Sequence, residues 1–209
     1  MPELADIRLK VCGLRDNISE VVALRPDFVG FIFYPGSPRY VGDLETNKIK
    51  DIPESIKTVG VFVNQPIDQV KKIAHRYNLD LIQLHGEEPV DYCVELKAED
   101  LNLIKVFSGN KLPEHKVLEE YSSFIDYYLF DTRGEKHGGT GKIFNWGKLA
   151  DLRLKKPVFL SGGIDLENIK KLRELETAIY AVDVNSRFEI SPGLKDIQSL
   201  ERLKSIMTD

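Results

Sequence analysis

The chain has 209 residues, 42% of them hydrophobic and 30% charged, with 15 Gly and 10 Pro. That balance excludes a disordered chain, a collagen and a coiled coil, and the length suits one domain over 1–209 that hides roughly 70% of its unfolded surface. A net charge of −4 offers no basic field to nucleic acid or anionic lipid, so any positive charge for an anionic substrate has to be gathered locally.

Short apolar runs rich in β-branched and aromatic residues recur along the chain. The first is Ile7–Cys12, followed by a helix with Asp16 as a plausible N-cap and Pro26 as its stop. The second strand is Phe28–Phe33, followed by a weak helical pattern around Leu44–Asp51. Thr58–Val63 is the third, with a clear amphipathic helix after it carried by Ile67, Val70, Ile73, Ala74 and Tyr77. Asp80–Leu84, Leu103–Phe107 and Tyr127–Phe130 read as strands four to six, the last followed by a long loop, Arg133–Phe144, and a weak helix around Asn145–Leu152. Strand seven is Pro157–Leu160, with a helix marked by Leu166, Ile169, Leu172 and Leu175 and an N-cap at Asp165. Strand eight is Ile179–Val184, and a last helix carries Leu194, Ile197, Leu200, Leu203 and Ile206.

Near-continuous apolar strands are those buried on both faces, as in a parallel sheet. Eight such strands alternate with helices at about 26 residues per unit, and no linker divides the chain. The simplest architecture is an α/β fold, a single-domain (β/α)8 TIM barrel; an open doubly wound sheet is the alternative, because periodicity does not show closure. Two cysteines, Cys12 and Cys93, make no disulfide framework and no metal site. The amino terminus shows no basic segment before a long apolar run, and no stretch reaches 18 apolar residues, so the expectation is a cytoplasmic protein without a membrane partner.

In either architecture function collects where strands end. Asp27, Asp80 and Asp126 stand at strand starts and read as structural. Cys12, Arg39, His85, Asp131 and Asp183 end strands or follow them. Cys12 closes strand one in Lys10-Val-Cys-Gly13, where Gly13 permits close approach of a ligand; a small buried hydrophobe is the plainer reading. Cys93, on no such edge, reads as packing. Asp131 closes strand six, and a carboxylate there costs desolvation unless it is hydrogen-bonded or used in chemistry. A Cys and an Asp across a barrel mouth form an acid and base pair for proton transfer. Arg39, in the Pro-stiffened loop Tyr34–Tyr40, has the fork to clamp a carboxylate, unless it is simply a solvated loop residue. His85 reads as a structural histidine or a site group. Gly138-Gly-Thr-Gly141, Ser161-Gly162-Gly163 and Asn185-Ser186 follow strands six, seven and eight, where backbone N–H groups bind phosphate in such barrels.

These residues, in this order, resemble the phosphoribosylanthranilate isomerase family of tryptophan biosynthesis. The likeness runs from Lys10 to about Asp196, through Lys-Val-Cys-Gly (10–13), Gly-Phe-Ile-Phe and Ser-Pro-Arg-Tyr (30–40), Val-Gly-Val-Phe-Val-Asn (59–64) and Gln-Leu-His-Gly (83–86). It continues through Phe-Asp-Thr (130–132), Gly-Gly-Thr-Gly-Lys (138–142), Ser-Gly-Gly-Ile (161–164), Val-Asp-Val (182–184) and Ser-Pro-Gly-Leu-Lys-Asp (191–196). The resemblance implies a barrel isomerase without cofactor or metal, acting on a phosphorylated anthranilate. It implies Asp131 as general acid at the ribose ring oxygen and Cys12 as general base at the sugar C2. It further implies Arg39 at the anthranilate carboxylate, Gly141, Gly162, Gly163, Asn185 and Ser186 at the phosphate, and Asp183 and His85 in the substrate site, with Asp183 at the substrate amine. It leaves monomer or homodimer open. A related barrel isomerase of histidine biosynthesis has an Asp where this chain has Cys12, and a non-catalytic phosphometabolite-binding barrel is the alternative outside enzymes. One departure stands out: the family commonly reads Ser-Ser-Gly-Val-Glu where this chain reads Asn185-Ser-Arg-Phe-Glu189, which removes a glycine and puts the backbone path there in question.

Overall fold

The computed structural model describes residues 3–42, 44–132 and 144–208. Eight parallel strands form it: β1 (Arg8–Cys12), β2 (Phe28–Ile32), β3 (Lys57–Phe62), β4 (Leu81–Leu84), β5 (Asn102–Ser108), β6 (Tyr127–Asp131), β7 (Val158–Ser161) and β8 (Ile179–Val184). They hydrogen-bond in sequence order, and β1 pairs with β8 to close the barrel. The expected (β/α)8 barrel is the observed fold, and the open sheet is excluded.

The strands are apolar because both faces are covered. Inside, Phe28, Val59, Leu81, Ile104, Val106, Leu129, Phe159 and Ala181 form one core cluster. Its aromatic members stack edge to face, with Phe28–Phe159 centroids 5.1 Å apart and Tyr127–Phe159 5.2 Å apart. The Arg8 guanidinium lies 4.3 Å from the Tyr180 ring centroid at the amino end of the barrel. A second, larger cluster packs the outer strand faces against the helices.

Among the described residues the α-helices are α1 (Ile18–Ala23), α2 (Asn47–Lys50), α3 (Ile67–Tyr77), α4 (Val90–Lys97), α5 (His115–Ser122) and α6 (Ile197–Thr208). Several expectations need correction. Asp16 does not cap α1: its carboxylate takes the Arg15 guanidinium, and Asn17 stands at the N-cap position. The segments after β6 and β7 are 3₁₀ rather than α, at Trp146–Asp151 and Ile169–Glu174. In the second, Leu166, Ile169, Leu172 and Leu175 recur at strict intervals of three, which is the 3₁₀ repeat. Asn168, not Asp165, stands at its N-cap position; Asp165 instead accepts from the backbone N–H groups of Glu167 and Asn168 in the turn before it. Leu194 belongs not to the last helix but to a short hairpin, β9 (Glu189–Ser191) and β10 (Leu194–Lys195).

At the amino end of the barrel the three aspartates share one role. Asp27 accepts from Leu9 N at 2.8 Å, Asp80 from Thr58 N at 2.8 Å and Asp126 from Leu103 N at 2.7 Å. Each stands just before an even strand and satisfies a backbone donor near the start of the odd strand beside it.

Candidate active site

Cys12 ends β1 with its side chain buried, and its strand neighbour in register is Gly30. A Cβ on Gly30 would lie 2.7 Å from Cys12 Sγ, so the glycine is what leaves room for the thiol. Beneath it Lys10, fully buried, donates to Asp183 Oδ2 at 2.9 Å and to Gln83 Oε1 at 2.8 Å. Burial pushes the Cys12 thiol up, above its ordinary range, while Lys10 and Lys195 pull it back. Burial also pushes the Asp183 carboxyl up, against the pull of Lys10. Asp183 Oδ1 is buried and, among the described residues, has no hydrogen-bond partner. A carboxylate oxygen left so in a barrel interior is costly until a donor reaches it.

Asp131 ends β6, around the barrel from Cys12, and His85 Nε2 lies 3.2 Å from its Oδ2. His85 follows β4, where its ring Nδ1 is 3.1 Å from Gln83 Nε2. The loop after it is pinned from beneath. Buried Glu88 accepts from the N–H groups of Asn64 and Gly86, and Lys105 on β5 donates to Glu88 at 2.7 Å and to the Gly86 carbonyl.

Arg39 lies on the loop after β2 and already grips a carboxylate. Its Nε and Nη2 donate to Glu189 on β9 at 2.7–3.0 Å, and Lys195 Nζ on β10 donates to the same group at 2.6 Å. Burial pushes Glu189 up, but the two cations outweigh it and hold the carboxyl below its usual range. Lys195 also donates to Asn185 Oδ1 at 2.8 Å. Arg39 is therefore not a solvated loop residue; a guanidinium bound along its Nε/Nη2 edge keeps the Nη1/Nη2 edge for a second carboxylate. The hairpin carrying Glu189 and Lys195 is latched to the first βα loop, since Asn17 exchanges two hydrogen bonds with the Lys195 backbone and Arg15 donates to the Pro192 carbonyl.

Gly13, at φ +74°, admits close neighbours, but those found there are protein atoms: a Cβ would lie 2.7 Å from Arg39 Cδ and from Asn185 Oδ1. Gly162 and Gly163 follow β7 at φ +89° and +72°. A Cβ on Gly162 would meet the Thr132 backbone N at 2.4 Å. The missing glycine after β8 is harmless, because Asn185 has φ −146° and Ser186–Phe188 forms a 3₁₀ turn that needs no positive φ. Gly141 and the rest of 133–143 lie outside the described residues. Cys93 is buried in α4, where burial pushes its thiol up to about 11, and packing is its role.

Sequence reading gathered Cys12, Asp131, His85, Asp183 and Arg39 correctly at the carboxyl ends of the strands. It missed Gln83, Glu189 and the roles of Lys10 and Lys195. A lysine inside an apolar strand was the available signal, since a fully buried ammonium needs a carboxylate partner.

Residues 9–205 match the model of the family described as N-(5'-phosphoribosyl)anthranilate (PRA) isomerase. A protein of that name from Parabacteroides distasonis is 42% identical over 198 residues, 92% of this chain and 90% of the other. The crystal structure of phosphoribosyl anthranilate isomerase from Thermotoga maritima superposes with a TM-score of 0.78 at 31% identity, covering 96% of this chain and 98% of that one. A further solved structure, a phosphoribosyl anthranilate isomerase in complex with reduced 1-(o-carboxyphenylamino)-1-deoxyribulose 5-phosphate, gives 0.75 at 29% identity over the same shares.

Proposed function

The chain belongs to the N-(5'-phosphoribosyl)anthranilate isomerase family, and from that premise we propose a division of work among the residues at its barrel mouth. The reaction is the isomerisation of phosphoribosylanthranilate in tryptophan biosynthesis. It turns an aminoaldose into an aminoketose, so it needs one proton delivered and one removed within a single bound sugar.

Asp131 delivers the first. Its carboxylic acid protonates the ribose ring oxygen as the C1–O bond breaks, and the anilino nitrogen lone pair moves in to form the Schiff base. Cys12, as thiolate, then takes the C2 proton; the electron pair left behind forms the enolamine, which tautomerises to the ketone. A mostly protonated thiol suits this order, because the base is needed only once the substrate covers it and Lys10 beneath stabilises the thiolate. Asp183 Oδ1 accepts from the substrate amine. Arg39 holds the anthranilate carboxylate along its Nη1/Nη2 edge, with Glu189 fixing the opposite edge.

Gly162, Gly163, Asn185 and Ser186, with Gly141, receive the phosphate through donors rather than through net charge. The protein works as one domain in the cytoplasm on this small phosphorylated substrate.

The observation that carries this assignment is the orphaned Asp183 Oδ1, buried beside the Lys10 that also supports Cys12. The test is loss of phosphoribosylanthranilate fluorescence with purified protein, with Gly163→Asp as the comparison. Parent turnover, competitive inhibition by inorganic phosphate, and loss of both in a folded Gly163→Asp are expected. Parent turnover indifferent to tens of millimolar phosphate, roughly the range of weak anion sites, overturns the phosphate assignment.

A further inference from the structure

A single run of polar contacts crosses the barrel interior from β8 to β6. Asp183 Oδ2 meets Lys10 Nζ at 2.9 Å, Lys10 Nζ meets Gln83 Oε1 at 2.8 Å, Gln83 Nε2 meets His85 Nδ1 at 3.1 Å, and His85 Nε2 meets Asp131 Oδ2 at 3.2 Å. Lys10 and Gln83 are buried, with 0% and 1% exposure, out of contact with bulk solvent.

The run has a direction that chemistry fixes. An ammonium only donates, so the Gln83 atom facing Lys10 is the carbonyl oxygen and the atom facing His85 is the amide nitrogen. The amide nitrogen also only donates, so His85 Nδ1 accepts and carries no proton. The ring proton is then on Nε2, aimed at Asp131. We propose that Gln83, oriented by Lys10, locks His85 as the neutral Nε2–H tautomer, making Gln83 a positioning residue for Asp131.

The consequence for chemistry rests on the reading of Asp131 as the acid. A neutral Nε2–H donor holds Asp131 Oδ2 in place without adding a charge. An imidazolium at the same distance favours the ionised carboxylate and opposes the proton Asp131 has to carry. Protonating Nδ1 sets two donors face to face against Gln83, which the buried amide cannot relieve by turning because Lys10 holds its oxygen. The charged groups facing this histidine among the described residues are Asp131 on β6 and, further along the run, Lys10 on β1 and Asp183 on β8.

The test reads tautomer and turnover separately. Uniformly ¹⁵N-labelled protein is examined at neutral pH by long-range proton–nitrogen correlation, with His85 assigned by comparison with His85→Asn. The parent is expected to show an unprotonated Nδ1 and a protonated Nε2. Gln83→Glu keeps the shape and the Lys10 contact but places an acceptor opposite Nδ1. It is expected to protonate Nδ1 and lower kcat by about tenfold to a hundredfold, the usual range for groups that orient a working side chain, with KM little changed. A parent His85 protonated at Nδ1 overturns the lock. A switched tautomer in Gln83→Glu with kcat within about twofold of the parent overturns the positioning role. Retained turnover in Asp131→Asn instead overturns the assignment of the acid and leaves the tautomer result standing.

Discussion

The two ends of the barrel use the same residue type in opposite ways. At the amino end Asp27, Asp80 and Asp126 each accept from a backbone N–H close by, in a local bond that repeats around the barrel. At the carboxyl end Asp131 meets the His85 side chain and Asp183 the Lys10 side chain, and among the described residues one Asp183 oxygen has no hydrogen-bond partner. An aspartate already held by a backbone N–H, and in Asp80 and Asp126 by a lysine as well, has little to offer a substrate. One that is buried, held by a single cation and left with an open oxygen is poised to receive one. The position along the strand, more than the residue, separates structure from chemistry.

Exchanging residues at the two ends tests this contrast, and the largest effects belong to the carboxyl end. Cys12→Ala and Asp131→Asn are each expected to lower kcat by about 10²–10⁴, the worth of a placed proton-transfer group, while leaving the thermal midpoint nearly unchanged. Steady-state kinetics beside calorimetry checks both, and Cys12→Ala with more than about a tenth of parental kcat refutes the base. Because burial raises the Cys12 thiol, the thiolate fraction, and with it kcat/KM, is expected to climb with pH beyond the ordinary thiol range of about 8.5. Cys12→Asp, if active, should move that rise to lower pH.

Arg39→Ala is expected to lose about 2–4 kcal/mol in kcat/KM, and Arg39→Lys to recover only part of it, since a point charge replaces a fork. Arg39→Ala also leaves Glu189 with one cation. Glu189→Gln on the Arg39→Ala background should then lose further stability, because buried Lys195 is stripped of its carboxylate, and should recover no catalysis. A denaturation curve and a kinetic assay on the same double variant separate the two roles of Arg39.

At the amino end the expected losses are smaller and purely structural. Asp80→Asn should cost about 1–2 kcal/mol in urea unfolding with kcat and KM unchanged. The Asp80 carboxyl is lowered because the N–H and hydroxyl of Thr58, with Lys57, outweigh its burial. A depressed folded-state pKa contributes stability that is complete above the unfolded value of about 3.9 and fades as pH falls through the depressed one. The difference between parent and Asp80→Asn should thus shrink below about pH 4. Smallest of all, Lys57→Ala should change stability by less than about 1 kcal/mol, since its half-exposed ion pair with Asp80 is screened by water. A Lys57 effect as large as that of Asp80 would mean that the ion pair, and not the backbone bond, is what holds this end.

How much of this was legible in the sequence follows from the same contrast. All eight strands showed themselves because a strand covered on both faces is apolar throughout, and Ile179–Val184 was bounded to the residue. Cys12, Asp131 and Asp183 were found because a polar group ending an apolar run needs a reason. The central run was harder to see. Lys10 and Gln83 alternate with apolar neighbours, a pattern that reads equally as a strand wet on one side, and nothing in a linear sequence places Gln83 between Lys10 and His85. Arg39 was found, but its partner Glu189 stands 150 positions away on a hairpin whose second strand holds Leu194, which the sequence places in the last helix.

The space above Gly30 has a consequence for anyone who engineers this barrel. By intrinsic preference a glycine in the middle of a strand is the first residue a stabilisation effort replaces, because valine or isoleucine favours extended backbone and fills the sheet. Here the new carbon would lie only 2.7 Å from Cys12 Sγ. Variants selected for heat resistance alone would drift toward filling that gap, and would come out as well-folded barrels whose thiol has been turned away from its work.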